Sequence, residues 1–244
     1  MKICAVQMAS LPGDLHGNLQ RHLWWLEQAG AQGADLVVFP ELSLTGYHPS
    51  LARQLSLPVS TPVLAPLQSA CEALGLSAAV GLPFSSIQGV RVGMAIFLPG
   101  QPRLAYAKRR LHDDELHWFV PGDQHLVFRA GSHQVAPAIC HESLFLSHAQ
   151  QARALGADLY LVSVAKSARG MDQAFEHYPE VARRLDMPVI MANCVGATED
   201  YSGAGRSAAW DRSGQLLAEL DGEREGLVVM DTASGEAWTA SIQG

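Results

Sequence analysis

Short apolar runs alternate with amphipathic stretches at the start of the chain. Residues 2–8 and 35–39 are apolar and predict two buried strands. Between them, over residues 14–30, leucines recur at helical spacing, which predicts a helix with one buried face. A strand, a helix and a second strand in this order favour a parallel sheet with helices on its faces.

Further strands and helices follow in mixed order. Helices are predicted over residues 61–74, 143–155 and 172–185. Strands are predicted over residues 77–82, 90–98, 103–107, 125–129, 134–139, 158–164, 188–193, 207–210, 215–219 and, as the last one, 227–230. Residues 211–214 form a hairpin turn, whereas other strands are joined by helical crossovers. We therefore expect an α/β fold with a mixed sheet, in a single domain over residues 1–244.

Composition narrows the class of protein. The chain has 244 residues, 48% of them hydrophobic and 17% charged, which suits a globular domain with a large core. The formal net charge of −7 argues against a nucleic-acid partner. The N-terminal apolar run is too short for a signal peptide, and no run reaches the length of a transmembrane helix. With four cysteines and no Cys-x-x-Cys pair, we expect a cytoplasmic protein with reduced thiols and no membrane contact.

Three ionisable residues stand at the ends of predicted strands. Glu41 follows the predicted strand at residues 35–39, and Lys108 follows the one at residues 103–107. Cys140 follows the strand at residues 134–139 and precedes a predicted helix. In open α/β sheets, ligands bind beyond the carboxyl ends of the strands. These three side chains can therefore converge on one crevice although they are far apart in the sequence.

Cys140 has the properties of a nucleophile if that crevice exists. A position near a helix N-terminus, with the Lys108 ammonium close by, would lower the pKa of the thiol. The backbone N–H of His141 would point toward an oxyanion formed on an attacked carbonyl. Glu41 lies between apolar neighbours, so we expect a raised pKa that suits proton transfer near neutral pH. Taken singly, each residue is more often structural: a buried cysteine, a surface acid or a surface lysine.

The ordered set of motifs resembles the nitrilase superfamily, also called the carbon–nitrogen hydrolase family. The matching residues are Phe39-Pro40-Glu41-Leu42 with Gly46-Tyr47; Tyr106, Lys108 and Leu111 with Glu115, Phe119, Pro121 and Gly122; Ile139-Cys140; Ala192-Asn193 with Gly196; and Gly205, Ser207 and Gly214. The resemblance covers nearly the whole chain. Any one motif is weak, but the order and spacing together are specific.

The resemblance implies an α-β-β-α sandwich with two mixed sheets, which pairs with a second subunit into a four-layer homodimer or a higher homo-oligomer. It implies a Glu–Lys–Cys triad and no metal or organic cofactor. By this resemblance Glu41 is the general base and acid, Lys108 stabilises the oxyanion and Cys140 is the nucleophile. Glu115 resembles the family's supporting second glutamate.

The substrate pocket departs from the commoner family pattern. Cys140 is followed by His141-Glu142-Ser143, where many amidases of the family have an aromatic residue and an Asp. We therefore transfer no substrate from the family. Substrate-binding candidates are the residues after strand ends or beside the cysteine, namely Tyr47, Trp118, Glu142 and Lys166.

The leading hypothesis is hydrolysis of a small amide or N-carbamoyl compound through a thioester, with water as the second reactant. The same cysteine could instead attack a nitrile, or an amine or alcohol could replace water and make the enzyme an acyl transferase. A binding protein without catalysis on the same fold is the non-enzymatic alternative, which the intact trio disfavours. Ten histidines suggest a metal hydrolase, but the spacing of two histidines around a Glu that a zinc helix needs is absent.

Overall fold

The computed structural model describes residues 1–241 and shows two β-sheets packed face to face with helices on both outer faces. A first core lies between the sheets, and two further cores lie between each sheet and its helices. This is the α-β-β-α sandwich with mixed sheets that the family resemblance implies.

The first sheet has seven strands in the order β15-β14-β1-β2-β3-β4-β5. Strands β1, β2 and β3 pair in parallel, and the other pairs are antiparallel. Their bounds are Lys2–Gln7 for β1, Leu36–Val38 for β2, Ser77–Ser86 for β3, Gly89–Phe97 for β4, Leu104–Ala107 for β5, Gly226–Asp231 for β14 and Glu236–Ala240 for β15.

The second sheet has six strands in the order β13-β12-β9-β8-β7-β6. Strands β7, β8 and β9 are parallel, and the other pairs are antiparallel. Their bounds are Phe128–Ala130 for β6, His133–Ile139 for β7, Leu159–Val164 for β8, Val189–Asn193 for β9, Ala208–Trp210 for β12 and Leu216–Glu219 for β13. The short strands β10 (Val195–Ala197) and β11 (Ser202–Ala204) form a separate antiparallel pair.

Helices α1 and α3 cover the first sheet, and α4 and α5 cover the second. Their bounds are Leu15–Ala31 for α1, Ala52–Leu55 for the short α2, Ala65–Leu74 for α3, Leu146–Ala154 for α4 and Ala168–Leu185 for α5. Asp14 caps α1 by accepting a hydrogen bond from the backbone N–H of Gly17. Trp25 of α1 is buried while Trp24 is partly exposed, as the helical spacing requires. Within residues 1–241 no helix is long and apolar enough to cross a membrane.

Helix starts are where the structure departs most from the sequence pattern. α5 begins at Ala168, four residues before the predicted start, because its first three residues, Ala168-Arg169-Gly170, are exposed or half-buried and carry no apolar periodicity. The helix predicted over residues 143–155 is α4, Leu146–Ala154, which starts three residues later than predicted because a 3-10 helix, Cys140–Leu144, precedes it. The prediction that residues 227–230 are the last strand is wrong, since β15 follows. β15 is an edge strand with one partner, and its burial is only partial, so its pattern is weak.

Candidate active site

The three residues predicted from the strand ends meet at one place between the sheets. Glu41 follows β2, Lys108 follows β5 and Cys140 follows β7. Lys108 Nζ lies 2.7 Å from Glu41 Oε1. The Cys140 thiol is close enough to Glu41 and Lys108 for the charge of each to influence its pKa. Glu41 and Cys140 lie 67 and 32 positions from Lys108 in the sequence (108 − 41 and 140 − 108), yet all three residues share one site.

Two tight turns place Glu41 and Cys140. Cys140 has a φ of 45° and Leu42 has a φ of 51°, a left-handed conformation that non-glycine residues rarely adopt. The turn around Glu41 lies directly against Gly81 of β3: a Cβ at position 81 would be 2.5 Å from Leu42 N and 2.6 Å from Pro40 O. The absence of a side chain at position 81 therefore allows the close approach of this turn to the sheet.

Glu41 is buried and its carboxylate is held on both sides. Oε1 accepts a hydrogen bond from Lys108, and Oε2 accepts one from the backbone N–H of Ala165 at 3.2 Å. Burial raises the pKa of Glu41; the Lys108 ammonium acts in the opposite direction and the Glu115 carboxylate adds to the increase. The raised pKa expected from the apolar neighbours of Glu41 is thus confirmed.

Lys108 is fully enclosed between two carboxylates. Its Nζ is 2.7 Å from both Glu41 Oε1 and Glu115 Oε1. Burial alone would lower the pKa of this ammonium, but Glu41 and Glu115 outweigh it and the net pKa is raised. Glu115 is itself held by the Tyr47 hydroxyl, which donates to Oε1 at 2.9 Å, and by the His112 backbone N–H, which donates to Oε2 at 2.8 Å. Lys108 is therefore a charged group with a fixed position.

The Cys140 thiol differs from the expectation in its acidity. Burial and the Glu41 carboxylate raise its pKa to about 11, although Lys166 and Lys108 act in the opposite direction. The predicted net lowering of this pKa is therefore wrong. The helical segment that starts at Cys140 is a five-residue 3-10 helix, so few aligned peptide dipoles support a thiolate. The Cys140 sulfur instead contacts the carbonyl oxygen of Ala165 at 3.8 Å.

His141 is the second residue of the 3-10 helix that begins at Cys140. The first N–H groups of a helix have no partner within it, so the His141 N–H has the position expected of an oxyanion donor. The His141 ring packs edge-on against His112 and Phe145. Burial, the His112 ring and the Lys108 ammonium lower the pKa of His141, which favours a neutral ring at physiological pH.

A cavity of about 410 Å³ opens onto Cys140. It is lined by Tyr47, Lys108, His112, Asp114, Glu115, Cys140, His141, Leu144, Ala165, Lys166, Ser167, Gly170, Gln173 and Tyr201. The polar and charged residues in this lining favour a polar ligand. Across the described part of the chain, no three His, Cys, Asp or Glu side chains are grouped as metal ligands.

The cavity includes two of the four substrate-binding candidates, Tyr47 and Lys166, but not Trp118 or Glu142. Glu115 and Phe119 are the buried residues of the segment after Lys108, and Trp118 between them faces a separate groove. The structure thus gives no support for a substrate contact by Trp118 within this chain.

Glu142 has a structural position instead of a place in the cavity wall. Its Oε1 accepts hydrogen bonds from the Ile139 N–H at 2.8 Å and the Tyr106 hydroxyl at 2.7 Å. Its Oε2 accepts one from the Arg109 N–H at 2.6 Å. The buried carboxylate therefore joins the backbone before Cys140 to the backbone after Lys108, and the predicted substrate contact by Glu142 is corrected to a link between the two loops.

Tyr201 is a cavity residue that the sequence analysis missed. Its hydroxyl donates to the Ala165 carbonyl oxygen at 2.7 Å, the same oxygen that the Cys140 sulfur contacts. Its ring lies 5.9 Å from that of Tyr47. Tyr201 lies in the loop between β10 and β11, where no strand end or motif distinguishes it in the sequence.

Comparison with known proteins agrees with the family resemblance found in the sequence. The model of the family described as carbon-nitrogen hydrolase matches residues 2–238. An amidase from Nesterenkonia sp. AN1 superposes with a TM-score of 0.87 at 26% identity, covering 95% of this chain and 92% of that chain. A glutamate-to-glutamine variant of that amidase carries the acetamide moiety of fluoroacetamide on its active-site cysteine.

Curated relatives include NAD(+) synthetases and a probable nitrilase. A glutamine-dependent NAD(+) synthetase from Acinetobacter baylyi is 27% identical over 233 residues, which is 93% of this chain but 43% of that protein. A probable nitrilase from Schizosaccharomyces pombe is 23% identical over 242 residues, covering 93% of this chain and 86% of that protein. The chain thus spans less than half the length of the NAD(+) synthetases that it matches.

Proposed function

The chain belongs to the carbon–nitrogen hydrolase family, and on that premise we propose that it hydrolyses the amide bond of a small molecule through a thioester on Cys140. The observation that carries this proposal is Lys108, held at 2.7 Å from both Glu41 and Glu115 in the wall of the cavity that contains Cys140. Such a group of acid, ammonium and thiol matches the needs of acyl transfer through a covalent intermediate.

The first step begins with a proton transfer to Glu41. Because the pKa of Cys140 is about 11, the thiol holds its proton at neutral pH and has to lose it as it attacks. Glu41, whose carboxylate lies beside Cys140, accepts this proton, and its raised pKa reduces the cost of doing so. The sulfur then forms a bond to the amide carbon, and the carbonyl oxygen becomes an oxyanion.

The oxyanion is stabilised by the Lys108 ammonium and the His141 N–H. When the tetrahedral intermediate collapses, Glu41 returns its proton to the departing nitrogen, and ammonia or an amine leaves. The acyl group remains on Cys140 as a thioester. Water, deprotonated by Glu41, attacks the thioester carbon, and the acid and the free thiol are released.

The test is ammonia release from amides by the wild type and by Cys140→Ala. We expect the variant to lose turnover by roughly a thousandfold or more, because no other group can form the thioester. Its fold should persist, since removing one sulfur costs at most a few kcal/mol of packing. Intact-mass analysis of wild-type enzyme quenched with acid during turnover should detect an acyl adduct on Cys140, and Glu41→Gln, which lacks the proton acceptor for the attack and the proton donor for the leaving nitrogen, should form this adduct much more slowly. Turnover by Cys140→Ala at the wild-type rate would contradict the proposal.

Glutamine is a specific candidate substrate, because most of the curated relatives are named as glutamine-dependent enzymes. An amide panel should therefore include glutamine beside simple aliphatic amides. A parallel nitrile panel tests the nitrilase alternative, and mass spectrometry of products formed with added amines tests acyl transfer. A homodimer, a cytoplasmic location and a single domain over residues 1–244 stay predictions; sedimentation velocity tests the first of them.

A further inference from the structure

Lys166 is a cavity residue that the proposed reaction leaves unused. Its exposed fraction is 6%, and it lines the cavity that contains Cys140. Among residues 1–241 its ammonium has no hydrogen-bond or ion-pair partner, whereas Lys108 has two carboxylates. The ammonium is also not sealed inside the protein, so it keeps contact with solvent through the cavity. A mostly buried ammonium without a partner is costly and calls for a ligand of opposite charge.

Helix α5 adds a second feature of the same sign at this place. Lys166 lies two residues before α5, an 18-residue helix whose N-cap Ser167 makes no capping hydrogen bond through its side chain. The first turn of α5 has no acidic residue, and Ser167 and Gly170 both line the cavity. The free N–H groups and the positive end of the dipole therefore face the same space as Lys166.

The stem of Lys166 is positioned by Gly170. A Cβ at position 170 would lie 3.3 Å from Lys166 Cβ, 3.4 Å from Cγ and 3.6 Å from Cδ. The lysine stem thus lies along the first turn of α5, in the room that this glycine leaves. A side chain at position 170 would require this stem to shift.

None of the acidic residues of the cavity forms an ion pair with Lys166. Glu115 already pairs with Lys108 and Tyr47. Asp114 is largely exposed, and its carboxylate pairs with His112. An unpaired cation therefore remains on the side of the cavity formed by the start of α5.

We propose that Lys166 and the N-terminus of α5 bind an anionic group on the acyl part of the substrate. The substrate class is then an amide whose acyl chain ends in an anion, such as the monoamide of a dicarboxylic acid. This inference rests on the proposed function for the reaction itself. The bond that is cleaved lies at Cys140, while the charge that selects the substrate lies at Lys166.

Lys166 has another possible effect, because its charge lowers the pKa of Cys140. Loss of that effect alone would slow attack on every amide equally. Loss of an anion site would weaken the binding of anionic amides and leave neutral ones unchanged. Binding measured without turnover separates the two.

The experiment is calorimetric titration of Cys140→Ala with matched ligands. Malonamate, succinamate and glutaramate are compared with propionamide, butyramide and valeramide, which lack the charge. The titrations are repeated after adding Lys166→Met, Lys166→Arg or, as a matched control, Arg169→Met, which removes an exposed charge from the first turn of the same helix.

We expect at least one anion to bind about tenfold or more tightly than its neutral counterpart. Lys166→Met should abolish this preference, Lys166→Arg should keep most of it, and Arg169→Met should change it little. The proposal is overturned if no anion binds more tightly than its neutral counterpart, or if the preference survives in Lys166→Met. Because Cys140→Ala is used only for binding, failure of the thioester mechanism would show separately, as turnover by that variant.

Discussion

Cys140 and Glu41 form a pair in which the acid controls the thiol. Burial makes both neutral forms more favourable than they are in water, and the Glu41 carboxylate further opposes a thiolate beside it. In the proposed reaction, the resting state is therefore a thiol next to a base, and the nucleophile forms only as the proton moves. A permanently ionised cysteine would not need Glu41 for the attack.

The acidity of Cys140 can be measured by its alkylation with iodoacetamide as a function of pH. In the wild type we expect the rate to keep rising above pH 9 toward the pKa of about 11. In Glu41→Gln the apparent pKa should fall, because the negative charge that opposes the thiolate is gone. Peptide mass spectrometry identifies the alkylated cysteine. A wild-type alkylation rate that levels off near neutral pH would contradict this electrostatic description.

Gly81 shows how a strand shapes the site at the level of elements. It lies inside β3, where a glycine has no side chain to pack, yet the Pro40–Leu42 backbone occupies the space that a Cβ would take. The close contact lets the turn after β2 direct Glu41 into the crevice between the sheets. With a side chain at position 81, the turn would have to move outward.

Gly81→Ala is expected to destabilise the fold by about 1–3 kcal/mol, because a methyl group would overlap backbone atoms that cannot rotate away. It should also lower turnover by displacing Glu41. The control is Gly30→Ala in α1, where a Cβ would meet only side-chain atoms, the nearest at 3.4 Å. That change should be neutral or stabilising by up to about 1 kcal/mol. Urea unfolding measures both, and equal stabilities of the two variants would refute the argument.

Glu142 connects the two sheets across the whole molecule. Its carboxylate accepts hydrogen bonds from Tyr106 of the first sheet and from Ile139 of the second, and from Arg109 directly after Lys108. Burial raises the pKa of Glu142 to about 7, although the hydrogen bonds to Ile139, Arg109 and Tyr106 oppose the increase. A group whose pKa is raised on folding contributes stability at low pH that is lost as the pH rises through the folded value.

The stability of the wild type relative to Glu142→Gln should therefore be greatest at about pH 4 and below, decline between about pH 4.5 and 7, and level off at higher pH. A shift from 4.5 to about 7 corresponds to a decline of up to roughly 3 kcal/mol. Tyr106→Phe keeps the carboxyl group but removes one donor to it, so the decline should move to higher pH. Urea unfolding at several pH values measures this, and a difference that grows with pH would have the wrong sign.

Much of the fold and the three central site residues could be predicted from the sequence. Glu41, Lys108 and Cys140 each follow a short apolar strand, and the carboxyl ends of strands are where an α/β sheet leaves polar groups free. The apolar periodicity that reveals β2, β5 and β7 therefore also indicates where their terminal residues lie.

Other properties depend on groups that are distant in the sequence and close only after folding. The net pKa of Cys140 depends on its burial and on Glu41, 99 positions earlier (140 − 41). The outward direction of Trp118, the internal hydrogen bonds of Glu142 and the unpaired charge of Lys166 likewise depend on what packs around them. Periodicity along the chain reports which side of an element is buried, and it contains no distance between elements. The location of the candidate site was therefore determined by the sequence pattern, and the acidity and charge balance of its residues were decided by the packing of the two sheets.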